Sequence, residues 1–324
     1  MTDKGWCNMD NKKIGKDGTL NMKDSKPSKL YEVLNSNNTV GYLFMAPFIL
    51  GFLCFTIIPL ATSVYYSFTD YNMIDKPNWV GIDNFVQLFR DERFQNSIVV
   101  TLKYVFLSVP LKLIFALLIA FLLTRKRRGT SFYRSLFYLP SLIGGSIAVS
   151  LVWKQLFARK GLVNVNLAKL GISTVNWFGS MKYAIVPLIL ISAWQFGSSM
   201  LIFAAGIKEI PTTYYEAAKI DGANGRQSFF KITLPCLSPV VMFNLVMQTI
   251  SAFMAFTQAF VITDGGPNDA TMFYALYVYK QGIDLRRMGY ASAMSWIMLL
   301  IMGLITAIIF KTSKHWVFYE SEND

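Results

Sequence analysis

The chain has 324 residues, of which 53% are hydrophobic, 15% aromatic and only 15% charged, with a mean hydropathy of +0.39. A soluble domain carries about 25% charged residues, so this composition excludes a single water-soluble core and points to an integral membrane protein. The formal net charge of +12 would suggest nucleic acid in a soluble chain, but a membrane protein needs basic loops in any case, so position decides between them.

Residues 1–39 are polar and rich in Lys, Asn and Ser. They have no apolar core, which excludes a signal peptide, and read as a loosely ordered tail. Six apolar segments follow, near Gly41–Phe68, Ile98–Thr124, Ser135–Phe157, Ala184–Gly206, Pro239–Ile262 and Tyr290–Phe310. A hydrocarbon core needs about 20 helical residues, so the expected fold class is an all-α integral membrane protein with six transmembrane helices. Prolines inside these segments, such as Pro47, Pro110 and Pro140, are tolerated as kinks because neighbouring helices satisfy the freed carbonyls. The expected domain is 40–311, with a second tail at 312–324.

Lys112 lies within the second segment, 13 positions before Arg125, which is about 20 Å of helical rise. A lysine at mid-bilayer costs roughly 2.5–3.5 kcal/mol on insertion scales. Two readings stand: it faces a solute pathway and favours an acidic solute, or it pairs with a carbonyl near Pro110 or snorkels outward. Arg125-Lys126-Arg127-Arg128, with Arg134, then forms the densest basic cluster. It has no interleaved aromatics and sits between two apolar segments, so it reads as topogenic and no nucleic-acid partner is expected. Six crossings put both termini on one side, where 18 basic residues fall against 11 opposite. The tails and this loop are therefore expected to be cytoplasmic. The opposite loop 154–182 also carries five basic residues and no acid.

In the fourth segment Ser192, Gln195 and Ser199 share a helical face by spacing, with Trp194 and Ser198 adjacent. In the fifth, Gln248, Ser251, Ala255 and Gln258 line up, flanked by Phe253 and Phe256. Polar groups inside a membrane helix face a bundle or a cavity, as pathway lining or as interhelical hydrogen-bond donors and acceptors.

The connection between these segments, 208–235, is punctuated. Pro211 suits a helix start, Tyr214, Ala217 and Ala218 recur at helical spacing beside Glu216, and Asp221-Gly222 supplies a stop. A second short helix is expected over Asn224 to Ile232, ending at Pro235. Two short helices with an alanine-lined face make a compact knob that a second protein can approach closely; the other reading is a surface hairpin lying on the membrane.

Glu216-Ala217-Ala218, Asp221-Gly222-Ala223, Phe230, Ile232, Leu234-Pro235 and Pro239 resemble, without a gap, the "EAA" signature of importer permeases of ATP-binding-cassette transporters. Tyr65-Ser67-Phe68-Thr69-Asp70-Tyr71, Val80-Gly81-Ile82-Asp83-Asn84-Phe85, Thr263-Asp264-Gly265-Gly266-Pro267 and Gly289-Tyr290-Ala291-Ser292-Ala293 are similar to its carbohydrate-uptake branch. The likeness, to the maltose-type permeases, covers about residues 40–311. It implies a multi-pass protein of the bacterial cytoplasmic membrane that moves a sugar, an oligosaccharide above all. It further implies a second homologous permease subunit, two cytoplasmic ATPase subunits that bind ATP and Mg, and an extracytoplasmic solute-binding protein. In the family the signature loop forms a coupling helix seated in an ATPase groove. Carried over, Glu216 is the polar anchor, Ala217, Ala218 and Ala223 the contact face, and Asp221-Gly222 the turn. The resemblance also implies a sugar pathway through the fourth and fifth segments, hence Trp194, Gln195, Ser198, Ser199, Gln248, Ser251 and Gln258, with Lys112 beside them.

The chain's own chemistry fits that division of labour. No G-x-x-x-x-G-K-[ST] phosphate loop occurs, so this chain is expected to bind no cofactor and to be a transport subunit, not an enzyme. One histidine, His315, and the scattered Cys7, Cys54 and Cys236 offer neither catalytic nor metal-ligand spacing. The rival class, a secondary transporter or channel for a small polar solute, usually carries intramembrane carboxylates, and the centres of the six segments hold none.

Overall fold

The computed structural model describes residues 37–124 and 129–318. Nearly all of the 1–39 tail, the Arg125–Arg128 cluster and the end of the 312–324 tail lie outside the described residues. The chain divides into two units, one ending at Thr62 and one beginning at Ser63. Among the described residues the fold is helical, the one strand-like pairing being an isolated bridge between Thr69 and Trp79.

The first apolar stretch is α1 (Asn37–Phe52), a π-turn at Leu53–Ile57 and α2 (Ile58–Ser67). The wide turn precedes Pro59, which lacks the N–H a regular turn would use. Phe44–Ser67 is long and apolar enough to cross a membrane. After a loop, α3 (Asp83–Arg90) leads into α4 (Glu92–Thr124). Its 33 residues rise about 50 Å, beyond the ~30 Å hydrocarbon core, and Pro110 does not break it. Ser97, Thr101, Tyr104 and Ser108, then Ala116 and Ala120, form one buried face. Small residues along that face allow close helix approach, and α4 is the axis against which five of the later helices pack.

The third segment departs from expectation. Instead of one span over Ser135–Phe157, α5 (Thr130–Ile143) and α6 (Ile147–Leu156) meet at 99°. Neither reaches the roughly 20 residues of a full crossing. The turn occupies Gly144-Gly145-Ser146, where two glycines relax the backbone and Ser146 caps α6 by accepting from the Val149 N–H at 3.3 Å. A short helix, α7 (Leu162–Lys169), follows. The fourth segment is also broken, into α8 (Ile185–Trp194) and α9 (Gly197–Glu209), by a milder 42°.

Next come α10 (Thr212–Ile220), α11 (Gly225–Ser228), a π-turn at Phe229–Thr233 and α12 (Leu234–Cys236). The second expected helix of this connection is thus one turn of α-helix that widens before Pro235 and runs on, instead of stopping there. The fifth segment is α13 (Ser238–Phe253) followed by α14 (Thr257–Ile262), with the helix interrupted at Met254–Phe256. A short α15 (Tyr274–Tyr279) and a final α16 (Met288–Ser313) complete the chain. The described residues therefore contain four helices long and apolar enough to span a membrane, or six spans if each bent pair counts as one.

The Glu92 end of α4 is held by a polar cluster. Asp91 Oδ2 accepts from the hydroxyls of Tyr277 at 2.6 Å and Tyr290 at 2.7 Å. Gln281 donates to the Tyr277 hydroxyl at 2.8 Å, and Arg93 forms a bidentate pair with Asp269 at 2.7 and 2.8 Å. Burial acts to raise the Asp91 carboxyl, but the two tyrosine hydroxyls and the N–H groups of Phe94 and Arg93 outweigh it and hold the group below its ordinary 3.8. Burial, then the bond to Asp91, pushes Tyr277 up to about 12.

Candidate functional site

Two features lie along α4, one at mid-helix and one at its Thr124 end. At mid-helix is a cavity of about 250 Å³. It exists because three helices break beside α4. α4 contributes Tyr104, Val109 and Lys112; the α5–α6 turn contributes Gly145; α8 contributes Ser192 and Gln195; α13 contributes Gln248 and Ser251; and the α13–α14 break contributes Phe256, Thr257 and Gln258.

Broken helices free backbone carbonyls, which must find partners where water is scarce. The Gly144 carbonyl accepts from Gln195 Nε2 at 2.9 Å and from Gln258 Nε2 at 3.4 Å. Ser141 bridges the α8–α9 break, donating to the Gln195 carbonyl at 3.1 Å while its oxygen accepts the Ser198 N–H at 3.1 Å. Phe256 stacks with Phe260 and meets Tyr279, with ring centroids 5.3 and 5.1 Å apart. Lys112 is half-buried and is the one charged residue in the lining. It has no hydrogen-bond or ion-pair partner among the described residues. The carbonyl pairing considered from the sequence is not formed.

Of the pathway residues named from the sequence, the fold brings Lys112, Gln195, Gln248, Ser251 and Gln258 to this one cavity. Trp194, Ser198 and Ser199 are elsewhere. Trp194 packs on Trp153 at 5.8 Å, Ser198 serves the α8–α9 break through its N–H, and Ser199 is fully buried with an unpartnered hydroxyl. Tyr104, Gly145 and Thr257 are additions. Tyr104 falls two helical turns before Lys112 on one face of α4, and the Gly144-Gly145 pair within an apolar segment signals a break.

At the Thr124 end is the knob. Pro211 immediately precedes α10 as its N-cap. At the other end the Gly222 N–H bonds to the Lys219 carbonyl at 3.2 Å and the Ala223 N–H to the Ala218 carbonyl at 2.8 Å, with Gly222 at φ +76°. This is a Schellman closure, which needs a left-handed residue and so favours glycine. The next residue opens α11 with a capping box, Asn224 Oδ1 accepting from the Gln227 N–H at 2.9 Å and the Asn224 N–H donating to Gln227 Oε1 at 2.8 Å. Tyr215 and Thr233 share a hydroxyl hydrogen bond of 2.9 Å, and Phe229 packs on Phe121 of α4 at 4.9 Å. Glu216, Ala217, Asp221 and Gly222 are exposed, with Ala218 and Ala223 half-buried. Ile220 is 86% exposed, an apolar side chain left open on a polar surface.

Residues 85–314 match the family described as "Binding-protein-dependent transport system inner membrane component". The chain is 52% identical to the "Probable ABC transporter permease protein YesP" of Bacillus subtilis (strain 168), covering 90% of this chain and 96% of that protein. It is 33% identical to the "Multiple sugar-binding transport system permease protein MsmF" of Streptococcus mutans, covering 86% and 96%. It is also 33% identical to the "Probable starch degradation products transport system permease protein AmyD" of Thermoanaerobacterium thermosulfurigenes, covering 84% and 94%. Its fold matches a chain of a bacterial ABC transporter involved in the import of the acidic polysaccharide alginate, with a TM-score of 0.75 at 24% identity, over 88% of this chain and 98% of that one.

Proposed function

The chain belongs to the family of binding-protein-dependent transport system inner membrane components, and from that premise we propose that it is the permease subunit of an ATP-driven importer moving a sugar, an oligosaccharide above all, through the mid-helix cavity. The observation that carries the reading is the cavity itself. Its glutamine amides and serine hydroxyls can pair with sugar hydroxyls, and Phe256 is an aromatic side chain in the same lining. The relatives named for sugars and starch products support the same substrate class.

In this proposal the chain works with a second, homologous permease subunit, two cytoplasmic ATPase subunits that bind ATP and Mg, and an extracytoplasmic solute-binding protein. The 208–235 connection faces the cytoplasm, as do both termini, in keeping with the excess of basic residues on that side. α10 docks in an ATPase groove through Glu216, Ala217, Ala218 and Ala223, turned at Asp221-Gly222. Closure of the ATPases moves α10; the Tyr215–Thr233 bond and the Phe229–Phe121 contact pass that displacement to α4, whose middle forms one wall of the cavity.

Gly222→Pro and Glu216→Lys test the coupling role in proteoliposomes holding the complete complex. Proline fixes φ near −65° and cannot adopt the +76° found at Gly222. Glu216 is exposed, so its charge reversal alters a docking surface without touching the core. Each is expected to lower sugar uptake and binding-protein-stimulated ATP hydrolysis together by about tenfold or more, within the usual range of inter-site coupling. Full activity in both variants would overturn the assignment.

A further inference from the structure

We infer that Lys112 makes the cavity a receptor for a carboxylate carried on the sugar ring, so that the transported solute is a uronate-containing oligosaccharide. The inference rests on the reading of the chain as a sugar permease and adds to it the charge of the substrate.

The cavity lies where a bare charge is costly. α4 is within the apolar part of the molecule, and Lys112 is 20 residues from its Glu92 end and 12 from its Thr124 end. No aspartate or glutamate contributes to the lining, and Lys112 has no partner among the described residues. Intramembrane cations are ordinarily paired with an acid or with backbone carbonyls. Here the Gly144 carbonyl, at the α5–α6 turn beside the cavity, already accepts from Gln195 and Gln258. The ammonium is thus left facing the space the solute occupies.

The neighbours of Lys112 define what would complete it. Gln248 and Ser251 line the same cavity, and no hydrogen bond engages either side chain within the described residues. An ammonium with nearby amide and hydroxyl donors is the set that holds a carboxylate through charge-assisted hydrogen bonds. Phe256 supplies a flat apolar face for the ring that carries the acid. One cation balances one carboxylate. A phosphate monoester, at about −1.5 to −2, would bring more charge than the lining offsets. The solute's carboxylate therefore neutralises a cation that no described side chain pairs with, and a neutral sugar does not.

Calorimetric binding to the purified complete complex, without its solute-binding protein, tests this with a glucuronate trisaccharide and its carboxyl-reduced glucose counterpart. The wild type is expected to bind the acidic probe about thirtyfold more tightly, equivalent to about 2 kcal/mol. Lys112→Gln is expected to erase that preference by weakening the acidic probe far more than the neutral one, and Lys112→Arg to keep it. Equal affinities in the wild type, or a preference surviving in Lys112→Gln, would overturn the inference. If Lys112→Gln binds neither probe, Lys112→Arg decides: a retained preference supports a charge requirement, and a lost one refutes it. Tighter binding of glucose 6-phosphate than of glucuronate would replace the carboxylate and also overturn the assignment. If the complex moves no oligosaccharide of either kind in ATP-driven uptake, the sugar-permease reading itself fails, whatever Lys112 does.

Discussion

Replacing Gly197 with alanine would place a methyl carbon 2.5 Å from the Phe137 carbonyl oxygen, 2.7 Å from the Tyr138 Cα and 2.9 Å from Ser141 Oγ. Non-bonded carbon contacts are comfortable at about 3.5–4.0 Å, so the start of α9 and the middle of α5 must separate by roughly 1 Å. Two of the three obstacles are main-chain atoms, which cannot rotate aside as a flexible side chain can. Overpacking of this kind costs typically about 1–3 kcal/mol. The same movement stretches both Ser141 bonds across the α8–α9 break, each now 3.1 Å. The expected loss is about 2 kcal/mol, which at about 2 °C per kcal/mol for a chain of this size lowers the melting temperature by roughly 4 °C. Tryptophan fluorescence of the purified complex during heating reads this directly. Ser141→Ala, which removes the bridge without adding volume, is expected to melt between the wild type and Gly197→Ala. A Gly197→Ala complex that melts with the wild type would show that the two broken helices do not depend on this approach.

Gln195→Ala and Gln258→Ala each leave the Gly144 carbonyl one partner, whereas the double variant orphans it. The singles are expected to cost about 0.5–1 kcal/mol each and the double to exceed their sum by about 0.6 kcal/mol in a thermal double-mutant cycle; strict additivity would mean the shared acceptor is not what links them. Asp91→Asn is expected to lower stability at neutral pH by about 1 kcal/mol, allowing for its partial exposure. Because the folded Asp91 titrates below its ordinary 3.8, its contribution is complete above that value and is lost as pH falls through the lower folded value. The melting difference between wild type and Asp91→Asn should then be constant from neutrality to about pH 5 and shrink only in stronger acid; a difference already gone at pH 5 would contradict the hydrogen-bond account.

Much of this was legible because it is local. Six apolar segments follow from hydropathy alone, and the Asp221-Gly222 stop follows from what a left-handed residue requires. The 99° turn at Gly144–Ser146 was not, since a window of some 20 residues averages across a three-residue break and both flanks are apolar. The milder 42° break of the fourth segment was hidden by the same averaging and explains the mixed placement of its residues. Ser192 and Gln195 precede the α8–α9 break and do line the cavity, but counting onward to Ser199 assumes an unbroken helix. The break re-aims everything after Gln195, and Ser199 turns into the protein interior. Gln248, Ser251 and Lys112 lie on uninterrupted stretches, where counting residues works. The Asp91 cluster was out of reach for another reason: its tyrosines arrive from α15 and α16, and nothing in the sequence near Asp91 announces them.

The knob between α9 and α13 is closed at its turn by its own main chain and tied to α4 by Phe229. Fixing one residue's backbone costs about 1–2 kcal/mol, and here that ordering is complete before any partner arrives. A partner docking against α10, as proposed above, would meet a finished shape and would not have to mould a slack one. Slack would absorb a push; in the proposed coupling a pre-formed knob would behave as a short stiff lever, passing a displacement at its tip to α4 with little lost in between.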